Sequence, residues 1–142
     1  MSYEEIENKV ALITGGSEGI GFAIAKAFVK AGANVAITGL TKLQNAKDEL
    51  GDKILTINAD ITQVELCSFT LEKVLGEFRK LDILVNNAGT NIYKPTSQTT
   101  IQEFDLIFNT NVRGLFALTQ AAIPELKKTH GNIINIGEGL WF

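Results

Sequence analysis

The residues best placed to do chemistry begin at Thr14-Gly15-Gly16-Ser17-Glu18-Gly19-Ile20-Gly21. This stretch follows the apolar run Val10 to Ile13 and opens an apolar segment, Ile20 to Ala31, that reads as a helix. A strand, a glycine-rich turn and a helix in that order put backbone N–H groups at a helix N-terminus, where the pyrophosphate of a nucleotide binds. The spacing is Gly-x-x-x-Gly-x-Gly, not Gly-x-Gly-x-x-Gly, and no Lys-Ser/Thr follows Gly21, which disfavours a phosphate P-loop. Other reactive residue types form no constellation. His130 is the single histidine and falls in a helix-to-strand turn. Cys67, the single cysteine, lies on a helix with no histidine nearby in sequence and is expected to be partly buried. No Cys/His spacing suggests a metal site. Asp48-Glu49 and Glu4-Glu5 read as solvated charge.

The elements that must position the glycine stretch alternate along the chain. Strands are expected over Lys9 to Ile13, Asn34 to Thr38, Lys53 to Ala59, Leu81 to Val85 and Gly131 to Ile136, all short apolar runs. The first helix carries Ile20, Ile24, Ala27 and Phe28 at helical spacing, with Ala23 and Ala27 small enough for close approach to a sheet, and stops at Gly32. A short polar helix follows over Leu43 to Leu50. Thr62-Gln63-Val64-Glu65 and Thr100-Ile101-Gln102-Glu103 both have the form of a capping box, predicting helices to about Lys80 and about Lys128, the second interrupted at Gly114. This alternation implies an α/β fold, a three-layer, doubly wound parallel sheet with right-handed crossovers. In such sheets ligands sit outside the carboxyl ends of the strands. Gly15 to Gly21, Thr38 to Leu40, Asp60 and Asn86 to Gly89 all fall there.

Composition narrows the partners. At 142 residues without linker or repeat, the chain is expected to form one domain, 1–142. Apolar residues at 45% and charged residues at 20% fit a packed core. A net charge of -3 without a basic patch argues against nucleic acid. No apolar run reaches the roughly 18 residues of a membrane span. The polar N-terminus lacks a signal peptide, and one cysteine fits a reducing compartment, so a cytoplasmic protein is expected.

The five stretches together resemble the short-chain dehydrogenases/reductases from Lys9 to about Ile136. Thr14 to Gly21 is similar to the family's cofactor loop, and Asp60-Ile61-Thr62 to its adenine-contacting segment. Asn86-Asn87-Ala88-Gly89 is similar to the strand-end motif beside the nicotinamide ribose. Asn111-Val112-Arg113-Gly114 is similar to the helix segment with the catalytic-tetrad asparagine, and Gly131 to Ile136 to the strand before the catalytic serine. The resemblance implies strand order 3-2-1-4-5 and a dinucleotide held by Gly15, Ser17, Glu18, Gly19, Ile20, Gly21, Gly39, Leu40, Lys42, Asp60, Ile61, Asn87, Ala88 and Gly89. The glycines let the backbone approach a phosphate without a Cβ clash, and the Ser17 hydroxyl can donate to it. Asp60 can accept from an adenine amino group or cap the segment after it. Asn87 to Gly89 offer a small-residue wall or an ordinary turn. Asn111 holds a relay water in the family, or here forms a structural kink with Gly114. The acid that binds a ribose 2′-hydroxyl would fall at Thr38-Gly39-Leu40, where there is none. Lys42 is the nearest base, while Glu18 sits where many NADP-dependent members carry one. NADP(H) is therefore expected ahead of NAD(H).

The pattern then departs from the family. Glu138 stands at the position of the catalytic serine, and a carboxylate there would repel a developing oxyanion. The only tyrosines, Tyr3 and Tyr93, are not followed four residues on by lysine. The chain reads as C-terminally truncated before the Tyr-x-x-x-Lys pair, with Asn111 the surviving tetrad member. The expected function is dinucleotide binding without hydride transfer. The alternatives are an oxidoreductase of carbonyl or hydroxyl substrates completed by another chain, and a cofactor-free interaction protein. Leu106, Phe108, Leu115, Phe116, Leu118 and Ile123 cannot all face the sheet, and Asn132 to Ile136 is an apolar edge. A homodimer through the Thr100–Lys128 helix or the last strand is expected, with Trp141 and Phe142 covering part of that surface.

Overall fold

The computed structural model describes residues 5–137. Five parallel strands, β1 (Val10–Ile13), β2 (Asn34–Gly39), β3 (Leu55–Asn58), β4 (Ile83–Asn86) and β5 (Asn132–Asn135), form one sheet in the order β3-β2-β1-β4-β5. Helices α1 (Gly19–Lys30), α2 (Leu43–Leu50), α3 (Val64–Phe78), α4 (Ile101–Phe108) and α5 (Leu115–Thr129) connect them. Strand order, helix layers and element sequence all agree with the sequence reading.

The continuous apolar runs make central strands because both faces of the sheet are covered. Along β1, Val10 and Leu12 point to one core, shared with Cys67, Leu71 and Val74 of α3 and Leu118, Ala122 and Leu126 of α5. Ile13 points to the other, shared with Ala25 of α1 and Ala46 of α2. This alternation about β1 gives three layers. Beneath them, at the entry to β4, Asp82 is almost wholly buried. Its carboxylate accepts from the Val10 amide at 2.8 Å and pairs with Lys80 at 2.9 Å, tying β1 to β4.

Four local expectations are corrected. The face of α1 is rotated: Gly21 and Ala25 are buried, whereas Ala23 and Ala27 are exposed, so those two do not mediate the approach to the sheet. The Thr62 capping box does not form. The Asp60 carboxylate captures both the Thr62 amide (2.9 Å) and hydroxyl (2.8 Å), and α3 starts one residue after Gln63, without a side-chain cap. The Thr100 box does form, Thr100 accepting from the Glu103 amide and Glu103 from the Thr100 amide. The segment from Thr100 to Lys128 is two helices joined by a π-helical turn, Asn109–Gly114. There Gly114 is buried, and a Cβ would lie 2.8 Å from the Ile61 carbonyl oxygen. Finally, Cys67 is fully buried and not partly so.

The apolar residues of α4 and α5 divide as expected. Leu118 is buried, whereas Leu106, Phe108, Phe116 and Ile123 are exposed, and Phe104 stacks on Phe108 with ring centroids 4.3 Å apart. β5 is an edge strand with Ile133 and Ile134 exposed. Among the described residues no helix is long and apolar enough to cross a membrane, and no group of three His, Cys, Asp or Glu is placed to hold a metal.

Candidate functional site

β1 is central, and the chain leaves it toward β2 on one side and later returns to β4 on the other, so the sheet has its switch point between β1 and β4. A cavity of about 590 Å³ lies there, within the range of small-molecule sites. The turn after β1 contributes Gly15, Ser17 and Glu18 to its wall. The end of β2 contributes Gly39 and Leu40, and the end of β3 Asp60 and Ile61. The loop after β4 contributes Asn87, Ala88, Gly89 and Thr90. Four chain segments far apart in sequence thus meet around one space.

Backbone demands explain the residue types. Gly15 and Gly19 have φ of +61° and +60°, the left-handed region where glycine is unstrained. Gly21 has a different reason to lack a side chain: a Cβ would sit 2.3 Å from the Gly15 carbonyl oxygen and 2.4 Å from Asn87 Nδ2. Its absence lets the head of α1 fold against the turn. Gly19, Ile20 and Gly21 open α1, and Glu18 caps it without a side-chain bond, so the first-turn N–H groups have no partner within the helix. A Cβ on Gly19 would meet nothing within 4 Å, so the helix head is open. A dinucleotide pyrophosphate fits an open helix head of this kind, where Gly19 and Gly21 on either side of Ile20 carry no Cβ.

Thr14 locks the switch point. Its buried hydroxyl accepts from the amides of Asn87 (3.0 Å) and Ala88 (2.9 Å), while Asn87 Nδ2 donates back to the carbonyls of Thr14 (3.0 Å) and Gly15 (3.2 Å). The loop after β4 is fixed from its other side by Asn111. The Asn111 amide accepts from Thr90 N–H at 2.8 Å and donates to Thr90 C=O at 2.9 Å. Asn111 therefore stands in the π-helical turn with its side-chain amide engaged by the Thr90 backbone. Asp60 lines the cavity and accepts from the Thr62 amide and hydroxyl, but it does not cap α3, which begins without a side-chain cap.

At the rim, Lys42 Nζ lies 2.5 Å from Glu18 Oε2. Arg113 donates to the Thr62 carbonyl at 3.0 Å. Behind the β3 end, the Cys67 thiol donates to the Ile61 carbonyl at 3.5 Å, and burial pushes its pKa up against a smaller opposing pull from Arg113.

Sequence reasoning gave no site role to Thr14, Thr90 or Thr110 and placed Leu106 only in the apolar stripe, yet Thr90, Leu106 and Thr110 are on the cavity wall. Thr14 adjoins the glycine stretch, which is the one signal that marks it; the others carry none. Tyr93, Lys42, Gly19 and Ile20 are exposed and off the wall, and Gly21 is buried and off it as well. Glu138, Trp141, Phe142 and Tyr3 lie outside the described residues, so their expected parts have no structural counterpart here.

Residues 9–139 match the family model described as short chain dehydrogenase. The chain is 35% identical over 136 residues to a 3-oxoacyl-(acyl-carrier-protein) reductase of Chlamydia muridarum, covering 91% of this chain and 55% of that protein. It is 34% identical over 138 residues to an NADP-dependent 3-hydroxy acid dehydrogenase of Salmonella typhi, covering 93% and 56%. Among solved structures, it resembles a 3-ketoacyl-(acyl-carrier-protein) reductase from Brucella melitensis complexed with NADH, with a TM-score of 0.88 at 37% identity, covering 92% of this chain and 57% of that one. The chain thus spans little more than half the length of these relatives.

Proposed function

The chain belongs to the short-chain dehydrogenase family, and from that premise we propose that residues 1–142 act as one dinucleotide-binding unit, taking NADP(H) ahead of NAD(H). The observation that carries the reading is the convergence of the glycine turn and three strand ends on one cavity of about 590 Å³. In this reading the open head of α1 (Gly19, Ile20, Gly21), with Gly15 and Ser17, takes the pyrophosphate. Asp60 and Ile61 take the adenine, and Asn87, Ala88 and Gly89 border the nicotinamide ribose. Gly39, Leu40, Glu18 and Lys42 face the adenosine ribose. NADP(H) is favoured because the β2 end has no acid and Lys42 is the nearby base; the relative named as NADP-dependent supports this, and the neighbour solved with NADH supports the wider NAD(P) class.

The nicotinamide ring, when bound, gives or takes the hydride. Proton transfer needs an acid within hydrogen-bond reach, and these 142 residues contain no Tyr-x-x-x-Lys. Asn111 then acts as a positioning residue, holding Thr90 and the ribose-side wall. The unit binds the dinucleotide without turning it over on its own. With the missing groups added, from another chain or from more of the same protein, the activity is oxidoreduction of a carbonyl or hydroxyl substrate. The exposed stripe from Phe104 to Ile123 and the β5 edge support a homodimer, and the fold and single cysteine suit the cytoplasm.

The test is titration with NADPH and NADH, read by reduced-nicotinamide fluorescence and thermal shift. Binding of both and loss of binding in Gly19→Val are expected, since a branched side chain at φ +60° is strained and fills the open helix head. Silence with both dinucleotides at millimolar concentration would sink the reading. Steady turnover by the purified chain against aldehydes and ketones would favour the completed-enzyme alternative.

A further inference from the structure

The π-helical turn Asn109–Gly114 is part of the cavity wall through Thr110, and it grips two other wall segments besides. Asn111 exchanges two hydrogen bonds with the Thr90 backbone, at 2.8 and 2.9 Å. Arg113 donates from Nη1 to the Thr62 carbonyl at 3.0 Å. Gly114 closes on the neighbouring Ile61, whose carbonyl oxygen would lie 2.8 Å from a Cβ at that glycine. Thr90, Ile61 and Thr62 all line the cavity. Residues two apart in a helix do not share a face, so Asn111 and Arg113 serve different walls. Those walls have no direct tie through the sheet. β3 and β4 are separated by β2 and β1, three strand spacings or roughly 14 Å. The turn bridges the loops beyond them. It is also a firm base, because Phe108, Asn109, Gly114 and Leu115 keep right-handed helical backbone and join α4 to α5 as one rod. That rod is seated in the core by Leu118, Ala122 and Leu126.

Resting on the dinucleotide reading above, we propose that Arg113 is a positioning residue that sets the span between the adenine wall, Asp60 to Thr62, and the ribose wall at Thr90. The adenine wall keeps its own shape without Arg113. Asp60 holds the Thr62 amide and hydroxyl, and the Cys67 thiol donates to the Ile61 carbonyl. What Arg113 adds is where that wall stands relative to Thr90. Its guanidinium is exposed and is aimed at a neutral carbonyl of the wall. A ligand confined to one wall has no use for the span. A dinucleotide that touches both walls binds at full strength only where they already stand at its own length, since otherwise part of its binding energy is lost in ordering them.

Dissociation constants for NADH and ADP, measured by titration calorimetry on the native chain and on R113A and G114A, test this. Melting by circular dichroism checks folding, and the exposure of Arg113 leads one to expect a folded R113A. R113A should weaken NADH about five- to tenfold and leave ADP within about twofold. Loss of a positive charge alone would act the other way, because ADP is the more highly charged anion and would suffer more. G114A pushes Ile61 off the turn instead of releasing Thr62, and should lower the NADH-to-ADP affinity ratio as well. Equal weakening of both ligands in R113A would make Arg113 a prop for the adenine wall alone, and no weakening of either would make its bond idle; each result overturns the proposal. NADH binding without ADP binding to the native chain would also overturn it, since the wall at Asp60 would then hold no adenine. If neither ligand binds the native chain, the dinucleotide reading fails and takes this inference with it.

Discussion

Gly21→Ala should be one of the most damaging single-methyl additions in the chain. The new Cβ would lie 2.3 Å from the Gly15 carbonyl oxygen and 2.4 Å from Asn87 Nδ2. Ordinary contact starts near 3.4 Å, so α1 must withdraw by about 1 Å. Neither neighbour can yield cheaply. One is backbone, and the other is held on the Thr14 and Gly15 carbonyls at 3.0 and 3.2 Å. Overpacking of this kind costs about 1–3 kcal/mol, and each Asn87 bond lost adds about 0.5–1.5 kcal/mol. The better helix propensity of alanine returns at most about 1 kcal/mol. The net expectation is a loss of about 2–3 kcal/mol. Urea denaturation followed by circular dichroism should show the midpoint falling by about 1–2 M at unchanged slope. Gly19→Ala is the internal control. There φ is +60° but the added Cβ meets nothing within 4 Å, leaving only backbone strain of about 1 kcal/mol. If Gly21→Ala costs less than about 0.5 kcal/mol, or less than Gly19→Ala, the close approach does not constrain the site and the reasoning fails.

Three further outcomes follow from other parts of the molecule. Asp82→Ala removes the buried acceptor of the Val10 amide and the partner of Lys80, so urea unfolding should show a loss of about 2–4 kcal/mol; Asp82→Asn, which keeps an acceptor, should lose less. Glu103 has its pKa lowered, first by the Lys94 hydrogen bond and then by the Thr100 amide. The stability it adds is thus present above the unfolded glutamate value of about 4.3 and is lost as pH falls through the lower folded value. The stability gap between native protein and Glu103→Gln should therefore close on acidification, and a gap constant in pH would refute the assignment. The buried Cys67 thiol, with its pKa raised by burial, should resist a disulfide reagent at neutral pH until urea unfolds the chain; prompt labelling of native protein would contradict its burial.

Most elements are legible in the sequence because buried parallel strands leave continuous apolar runs. β3 is the loosest match, expected from Lys53 to Ala59 and formed by Leu55–Asn58. Caps were harder. Thr62 and Thr100 present the same local pattern, but Asp60 stands two residues before Thr62 and competes for its amide and hydroxyl. The packed face of α1 was misread because Ala23, Ala25 and Ala27 are chemically alike, and only the seating of Gly21 against Gly15 chooses among them. The π-helical turn at Asn109–Gly114 leaves no mark in hydrophobic periodicity; Asn111 on Thr90 and Gly114 against Ile61 accompany it through contacts distant in sequence. At the cavity, glycines and Asn87 stood out because backbone approach restricts residue type. Thr14 and Thr90 did not, because threonine serves many roles. The Glu18–Lys42 pair depends on two loops brought together by β1–β2 pairing, which no local spacing encodes.

The Thr14–Asn87 lock also sets an order of events during synthesis. β1 can pair with β2 once about forty residues are free, since Ile13 lies against Ile37. Its opposite edge has no partner until β4 emerges, because Ile13 pairs there with Val85. At roughly 5–20 residues per second, the ribosome leaves that edge open for several seconds. Throughout that interval the apolar run Val10 to Ile13 offers unpaired main chain to any passing strand. The pocket cannot take shape before the Asn87 and Ala88 amides reach the Thr14 hydroxyl. A nascent chain gains the ability to hold a ligand at the same step that pairs the second edge of β1.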